Sequence, residues 1–179
     1  MSLAILAQLK EQKKNLQCEI CRAGRPFEEQ VRLLIGMRGV TPLLALGFLS
    51  EVGDIHRFRS LQALLAYLGV VPTVRSSGGT TRVGRLNRRS RSLARTLFTQ
   101  AVLHLADSSP QLGRFYRELV PRRGYGRARI AILRKTFGMM RRMLLSNTPY
   151  RWKEEELYQK KLKDWKRNSG AQEESKIPA

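Results

Sequence analysis

The stretch GMRGVTPLLALGFLSEVGDIHRF, residues 36–58, decides the fold of this chain. Its first two glycines bracket a tight turn, and the apolar run after the turn predicts a buried helix that ends near Gly53. Helical spacing before the turn, from Phe27 to Ile35, makes the order helix, glycine-containing hairpin, helix. A helix-hairpin-helix element of this kind presents backbone amides and a helix N-terminus to phosphate, which makes Gly39 and Thr41 candidate nucleic-acid contacts. The alternative is a plain helical turn with a glycine cap.

Working outward, apolar residues recur at helical spacing in most other segments. The pattern predicts an all-α fold, with loops at residues 73–86 and 121–129, one helix over 87–106 and at most one short strand, at 68–74. We divide the chain into an amphipathic, coiled-coil-like helix at 1–29, a helical DNA-binding domain at 30–150, and a charged helix with a disordered tail at 151–179. The first helix is expected to mediate homo-oligomerisation.

The charge is extreme and unevenly distributed. The net charge is +20, and residues 55–106 hold nine arginines and no acidic residue. Segregation of this kind indicates a surface that meets a polyanion, and nucleic acid fits better than a membrane because the arginines do not line one amphipathic helix. No apolar run is long enough to span a bilayer and no signal peptide is evident, so we expect a cytoplasmic, nucleoid-associated protein.

The stretch RSSGGTTRVGRLNRRSRSLAR, residues 75–95, carries the candidate chemistry. Ser76 and Ser77 could act as nucleophiles, but no histidine or carboxylate lies near them in sequence to remove a proton. A phosphate-binding loop is the alternative for a Ser-Gly-Gly segment beside arginines. The candidate nucleic-acid-binding arginines lie here and in the second predicted loop: Arg75, Arg82, Arg85, Arg88, Arg89, Arg91, Arg123 and Arg127.

No metal site is predicted from this sequence. Cys18 and Cys21 form an isolated C-x-x-C without a second ligand pair, and the two histidines are far from it and from each other. No cluster of aspartates suitable for magnesium occurs in the chain. We therefore expect no cofactor in these residues.

The order of these segments resembles the C-terminal domain of transposases of the insertion-sequence 110/116/902 family. The resemblance covers about residues 30–150 and rests on the hairpin, on EVGDI, on AYLGVVP and on Ser-Gly followed by R-x-G-R. It implies a serine recombinase that cuts and joins DNA through a phosphoserine link, guided by a structured bridge RNA. The family nucleophile maps to Ser77, with Ser76 as the other register. The hairpin departs from the family pattern at Arg38 and Thr41.

The resemblance also implies an N-terminal RNase H-like domain with acidic residues that bind Mg²⁺, and these 179 residues contain no such segment. We therefore expect a chain that binds DNA and structured RNA but does not cut alone. A catalytically inactive transposase remnant is one alternative. A basic RNA-binding protein, in which both serines are structural, is the other.

Overall fold

A computed structural model describes residues 2–77, 80–86 and 93–170 of the chain. Eight α-helices and one two-stranded antiparallel sheet make up the described part, together with 3-10 turns at Arg25–Phe27 and Ile55–Arg57. The helices are α1 (Ser2–Ala23), α2 (Glu28–Leu34), α3 (Pro42–Val52), α4 (Leu61–Tyr67), α5 (Leu93–Gln100), α6 (Val102–Ala106), α7 (Pro110–Ser146) and α8 (Glu155–Ser169). The strands are β1 (Pro72–Ser77) and β2 (Thr80–Leu86). The predicted all-α class is confirmed, with one small hairpin added to it.

Several helices begin at side chains that accept the first free backbone N–H groups. Thr41 accepts from Leu44 at 3.3 Å, and Ser60 accepts from Ala63 at 3.1 Å. Ser109 does the same for α7, whose first residue is a proline. Short hydroxyl side chains suit this position because the oxygen satisfies a donor that has no partner within the helix.

The core is organised around three phenylalanines from three helices. Phe48 of α3, Phe98 of α5 and Phe137 of α7 are fully buried, and their ring centroids lie 5.1–6.2 Å apart. Trp165 of α8 is also fully buried, which fixes the C-terminal helix to the same core. The apolar patterns of the sequence therefore converge on a single hydrophobic cluster.

Helix α1 is confirmed as a helix, but most of it packs on nothing within the described chain. Its C-terminal end lies beside α8, where Cys18 Sγ approaches Asn168 Oδ1 at 3.8 Å. Residues 3–16 are all exposed. Apolar residues on this exposed part include Leu3, Ile5, Leu6, Leu9 and Leu16.

The predicted loop at 73–86 is wrong, because this segment forms most of β1 and β2. The strands pair antiparallel, with Val74 opposite Val83 and Ser77 opposite Thr80. The sequence contains several β-branched residues on both sides of Gly78 and Gly79, a pattern that favours a hairpin. Residues 78 and 79 themselves lie outside the described residues.

The single helix predicted over 87–106 is also wrong in its extent. Residues 87–92 lie outside the described residues, and the remainder divides into α5 and α6 at Ala101. The Ala101 N–H bonds to Phe98 O at 3.1 Å, a tighter turn than an α-helix makes. Ala101 has φ −91° and ψ 2°, so the regular helix is interrupted at this residue.

The predicted loop at 121–129 is helical except at one residue. Gly124 has φ 78° and ψ 160°, which interrupts α7. Lys135 Nζ lies 4.4 Å from the centroid of the Phe115 ring, although a straight helix would separate these residues by about 30 Å. Ser108, just before α7, and Tyr150, just after it, also meet, with Oγ and Oη 3.2 Å apart. Helix α7 therefore folds back at Gly124 into two antiparallel arms, residues 110–123 and 125–146.

Candidate nucleic-acid interface

The predicted nucleophiles and three predicted arginines lie in the β-hairpin. Arg75 is the Cα partner of Arg82, Ser76 of Thr81, and Ser77 of Thr80. Ser77 is therefore in the last strand pair before residues 78 and 79. Arg85 lies further along β2, and the other predicted arginines of this stretch, Arg88, Arg89 and Arg91, lie outside the described residues.

Both ends of the segment that contains the hairpin are held to the helical core. Arg95 Nη1 donates to Gly69 O at 3.0 Å, which joins the start of α5 to the residues before β1. The Ala94 N–H donates to Glu51 Oε2 at 2.5 Å. The hydroxyl of Tyr67 donates to Glu51 O at 3.0 Å. These contacts fix where the hairpin leaves the domain and where the chain returns.

Among the residues that hold the hairpin segment to the core, Glu51 is the one that sequence reasoning missed as a functional candidate. Its side chain is only 6% exposed, and its carboxylate lies at the N-terminal end of α5. A negative charge is favourable there because the first helical N–H groups carry partial positive charge. The second oxygen, Oε1, has no hydrogen-bond partner among the described residues. The available signal was an acidic residue in a helix whose other residues, apart from Ser50, are nonpolar.

The turn between α2 and α3 holds the two predicted phosphate contacts Gly39 and Thr41. Gly39 has φ 82°, and a Cβ atom there would lie 2.8 Å from the backbone of His104 and Leu105. The close approach to α6 therefore requires glycine. Thr41 is exposed and caps α3. These contacts give both residues structural roles, and their binding of phosphate stays a prediction.

Helix α8 supports this turn through a lysine. Lys161 Nζ donates to Ile35 O at 2.9 Å and to Met37 O at 2.6 Å. Burial is the main cause that lowers the pKa of Lys161 to about 8. Arg38, where the sequence departs from the family pattern, pairs with Glu154 at 3.2 Å. The turn is thus tied to the C-terminal helix and the segment just before it.

The second basic region is the fold-back of α7. Residues 121–127 are seven consecutive exposed residues, and we call them the tip. The predicted contacts Arg123 and Arg127 lie in it, together with Arg122. Within the described ranges, no hydrogen bond or ion pair involves these three side chains. Free guanidinium groups at an exposed turn are well suited to phosphate oxygens.

A groove of about 610 Å³ lies between the two arms of α7 and α4. Its basic lining residues are Arg134, Lys135 and Arg142, and its aromatic lining residues are Phe115, Tyr150 and Trp152. Between residues 119 and 153 the sequence has ten basic residues and no acidic one. The second arm of α7 therefore carries basic residues both at the tip and along the groove.

Three other properties of the described ranges bear on the site. No group of three or more histidine, cysteine, aspartate or glutamate side chains there could hold a metal ion. No helix among the described residues has the length and apolar character that crossing a membrane needs. Burial, the larger cause, and the neighbouring Cys18 raise the pKa of the Cys21 thiol, which disfavours its reactive thiolate form.

Comparison with known proteins bears on the β-hairpin and its supports. Residues 31–117 match the family model described as Transposase IS116/IS110/IS902 family. The chain carries a transposase domain of this family. The match includes residues 31–34 of α2, all of α3 to α6, the β-hairpin, Glu51 and residues 110–117 of the first arm of α7. The tip of α7 and the second arm lie beyond the matched residues of the transposase domain.

Two relatives are named as transposases. The chain is 28% identical over 157 residues to a "Probable family 20 transposase" of Pseudomonas aeruginosa, covering 82% of this chain and 46% of that protein. It is 32% identical over 137 residues to the "Transposase for insertion sequence element IS1111A" of Coxiella burnetii, covering 74% of this chain and 38% of the relative. The chain thus spans less than half the length of these transposases.

Proposed function

We propose that this chain is a nucleic-acid-binding part of a transposase and acts in DNA transposition and recombination in the cytoplasm, at the nucleoid. The observation that carries the proposal is the unpaired basic surface of α7 in a chain with a transposase-family domain. The partners are DNA and a structured guide RNA. Phosphate contacts from the tip, the groove and the β-hairpin supply the affinity, because each arginine that meets a phosphate releases a condensed counterion.

Ser77 is the proposed nucleophile, with Ser76 as the other register. Attack of its hydroxyl oxygen on a DNA phosphorus forms a serine phosphodiester and breaks the bond from phosphorus to one deoxyribose oxygen, which leaves as a sugar alcohol. The proton lost by the serine equals the one gained by the sugar, so the step needs no other reactant. We assign the acidic, Mg²⁺-binding chemistry to an RNase H-like domain that acts in trans.

Self-association through α1 completes the proposal. The exposed apolar residues of α1 recur at helical spacing, as in a helix that pairs with another copy of itself. Among them, Leu9 is 55% and Leu16 is 57% exposed. Replacing both by Ser should convert a dimer to a monomer in analytical ultracentrifugation, and a wild-type chain that is monomeric at high concentration would refute this part.

The proposal is tested by binding of the full chain to duplex DNA and to a folded RNA over a range of salt concentrations. We expect the logarithm of the DNA association constant to fall linearly with the logarithm of salt, with a slope of about 0.9 per phosphate contacted. Bovine serum albumin, an acidic protein, is the control without a phosphate-binding surface. Affinity that does not change with salt would refute the nucleic-acid-binding function.

A further inference from the structure

The tip of α7 presents an aromatic ring at its outermost turn. Tyr125 is 67% exposed, compared with 41% for Trp152 and 40% for Phe27. Tyrosine is amphipathic, and a ring of this size is usually at least half covered in a folded protein. A ring left in water at a turn, where no core packing requires it, is available to a flat partner.

The backbone around Tyr125 leaves space for such a partner. Gly124 and Gly126 flank the tyrosine, and a Cβ atom at either position would meet no other atom within 4 Å. The positive φ of Gly124 is what turns the chain back at this point. The two glycines therefore leave the surroundings of the ring open on both sides along the chain.

The same turn supplies cations at short sequence spacing. Arg122, Arg123, Arg127 and Arg129 are exposed, and none of them has an ion-pair or hydrogen-bond partner within the described part of the chain. The nearest preceding acidic residue, Glu118, is paired with Arg114 at 3.1 Å. These arginines are therefore available to the anionic groups of a partner, on both sides of the exposed ring.

We propose that the tip binds unpaired nucleotides, with Tyr125 stacked on a base and the arginines on the phosphates on either side of it. In a duplex each base face is covered by its neighbours, whereas an unpaired base offers a free face to an aromatic ring. Stacking is sequence-tolerant, so this contact grips the strand rather than reading it. The inference rests on the proposed nucleic-acid-binding function and specifies that the tip binds unpaired rather than paired nucleotides.

The test uses the full chain and measures fluorescence anisotropy with single-stranded DNA, single-stranded RNA and duplex DNA of one length. Tyr125→Ala should weaken single-strand binding about tenfold and change duplex binding by less than about twofold. Tyr125→Phe should keep the wild-type affinity, because the ring alone stacks. A fluorescent adenine analogue in the strand should be quenched by the wild type and by Tyr125→Phe, but not by Tyr125→Ala. The two single-stranded probes decide whether the strand is DNA or RNA.

Phe27→Ala is the matched control, since it removes an exposed ring outside the basic surface and should leave all three affinities unchanged. The inference would be overturned if Tyr125→Ala lowered the affinity for duplex and single strands equally, or if it lowered neither. The proposed function would still stand in that case, provided that binding of the wild type depended on salt. Loss of binding to anionic phosphatidylserine vesicles in place of single strands would also overturn it. A wild-type chain that binds no nucleic acid would refute both the proposed function and this inference.

Discussion

The chain contains two antiparallel basic hairpins that are supported in opposite ways. The described contacts that hold the β-hairpin lie at its base, where Glu51 and Arg95 meet the backbone of the neighbouring segments. The helical hairpin of α7 is packed along its second arm, with Ile132 and Phe137 fully buried. In the proposed function, the first hairpin carries the reactive serine and the second binds a strand.

Replacing Ser77 by Ala should have the largest effect on the difference between the two hairpins, by abolishing most of the strand joining. If the β-hairpin carries the nucleophile, strand joining restored by an added RNase H-like domain from a full-length relative should fall about a thousandfold or more. DNA affinity should stay unchanged, because the hydroxyl contributes little to phosphate binding. Joining by gel assay and affinity by anisotropy measure the two effects.

Ser76→Ala tests the other register in the same assay, and Ser50→Ala, which alters an exposed serine of α3, is the control outside the hairpin. Equal joining by wild type and Ser77→Ala would show that Ser77 is not the nucleophile. A loss confined to Ser76→Ala would move the assignment by one residue.

Matched pairs of arginine substitutions should distinguish effects on DNA affinity from effects on the rate of strand joining. One pair is Arg82→Gln with Arg85→Gln in the β-hairpin, and the other is Arg123→Gln with Arg127→Gln in the tip of α7. Each pair removes two charges. Each should lower DNA affinity about tenfold to a hundredfold and reduce the salt slope by about 1.8. Only the β-hairpin pair should also lower the joining rate at saturating DNA. If the α7 pair lowered that rate equally, the two hairpins would share one role.

Removing Glu51 should loosen the base of the β-hairpin and leave α7 unchanged. Glu51→Ala leaves the Ala94 N–H without its acceptor and should lower the free energy of unfolding by about 2–3 kcal/mol. Hydrogen exchange should rise at the start of α5 and stay unchanged in the second arm of α7. Glu51→Gln retains an acceptor oxygen and should recover most of the loss. A uniform rise in exchange would mean that Glu51 supports the whole core.

The turn of α7 should cost least to disturb. Gly124→Ala places a side chain at φ 78° and ψ 160°, and should lower the free energy of unfolding by about 1–2 kcal/mol through backbone strain alone, since nothing lies within 4 Å of the new Cβ. Gly126→Ala is the matched control, because Gly126 is helical and equally uncrowded, and it should be neutral or slightly stabilising. Thermal unfolding distinguishes the two, and equal effects would refute the strained turn.

Sequence patterns predicted the helical class and the buried helix that ends near Gly53, because these depend on residues near one another in the chain. The charge segregation and the candidate arginines were also readable from sequence. The β-hairpin was missed because the segment lacks the apolar alternation that marks a half-buried strand. The fold-back of α7 was taken for a loop because Pro121 and two glycines usually interrupt a helix.

The sequence by itself determined most of the helical segments, many of the apolar core positions, and where the positive charge collects, since composition and periodicity act locally. Tertiary structure alone decided that Glu51 reaches Ala94, 43 residues away, and that Lys135 lies over Phe115. It also placed Tyr125 at an exposed turn. Such contacts depend on how packed helices orient one another, and no local pattern encodes the free energy of that packing.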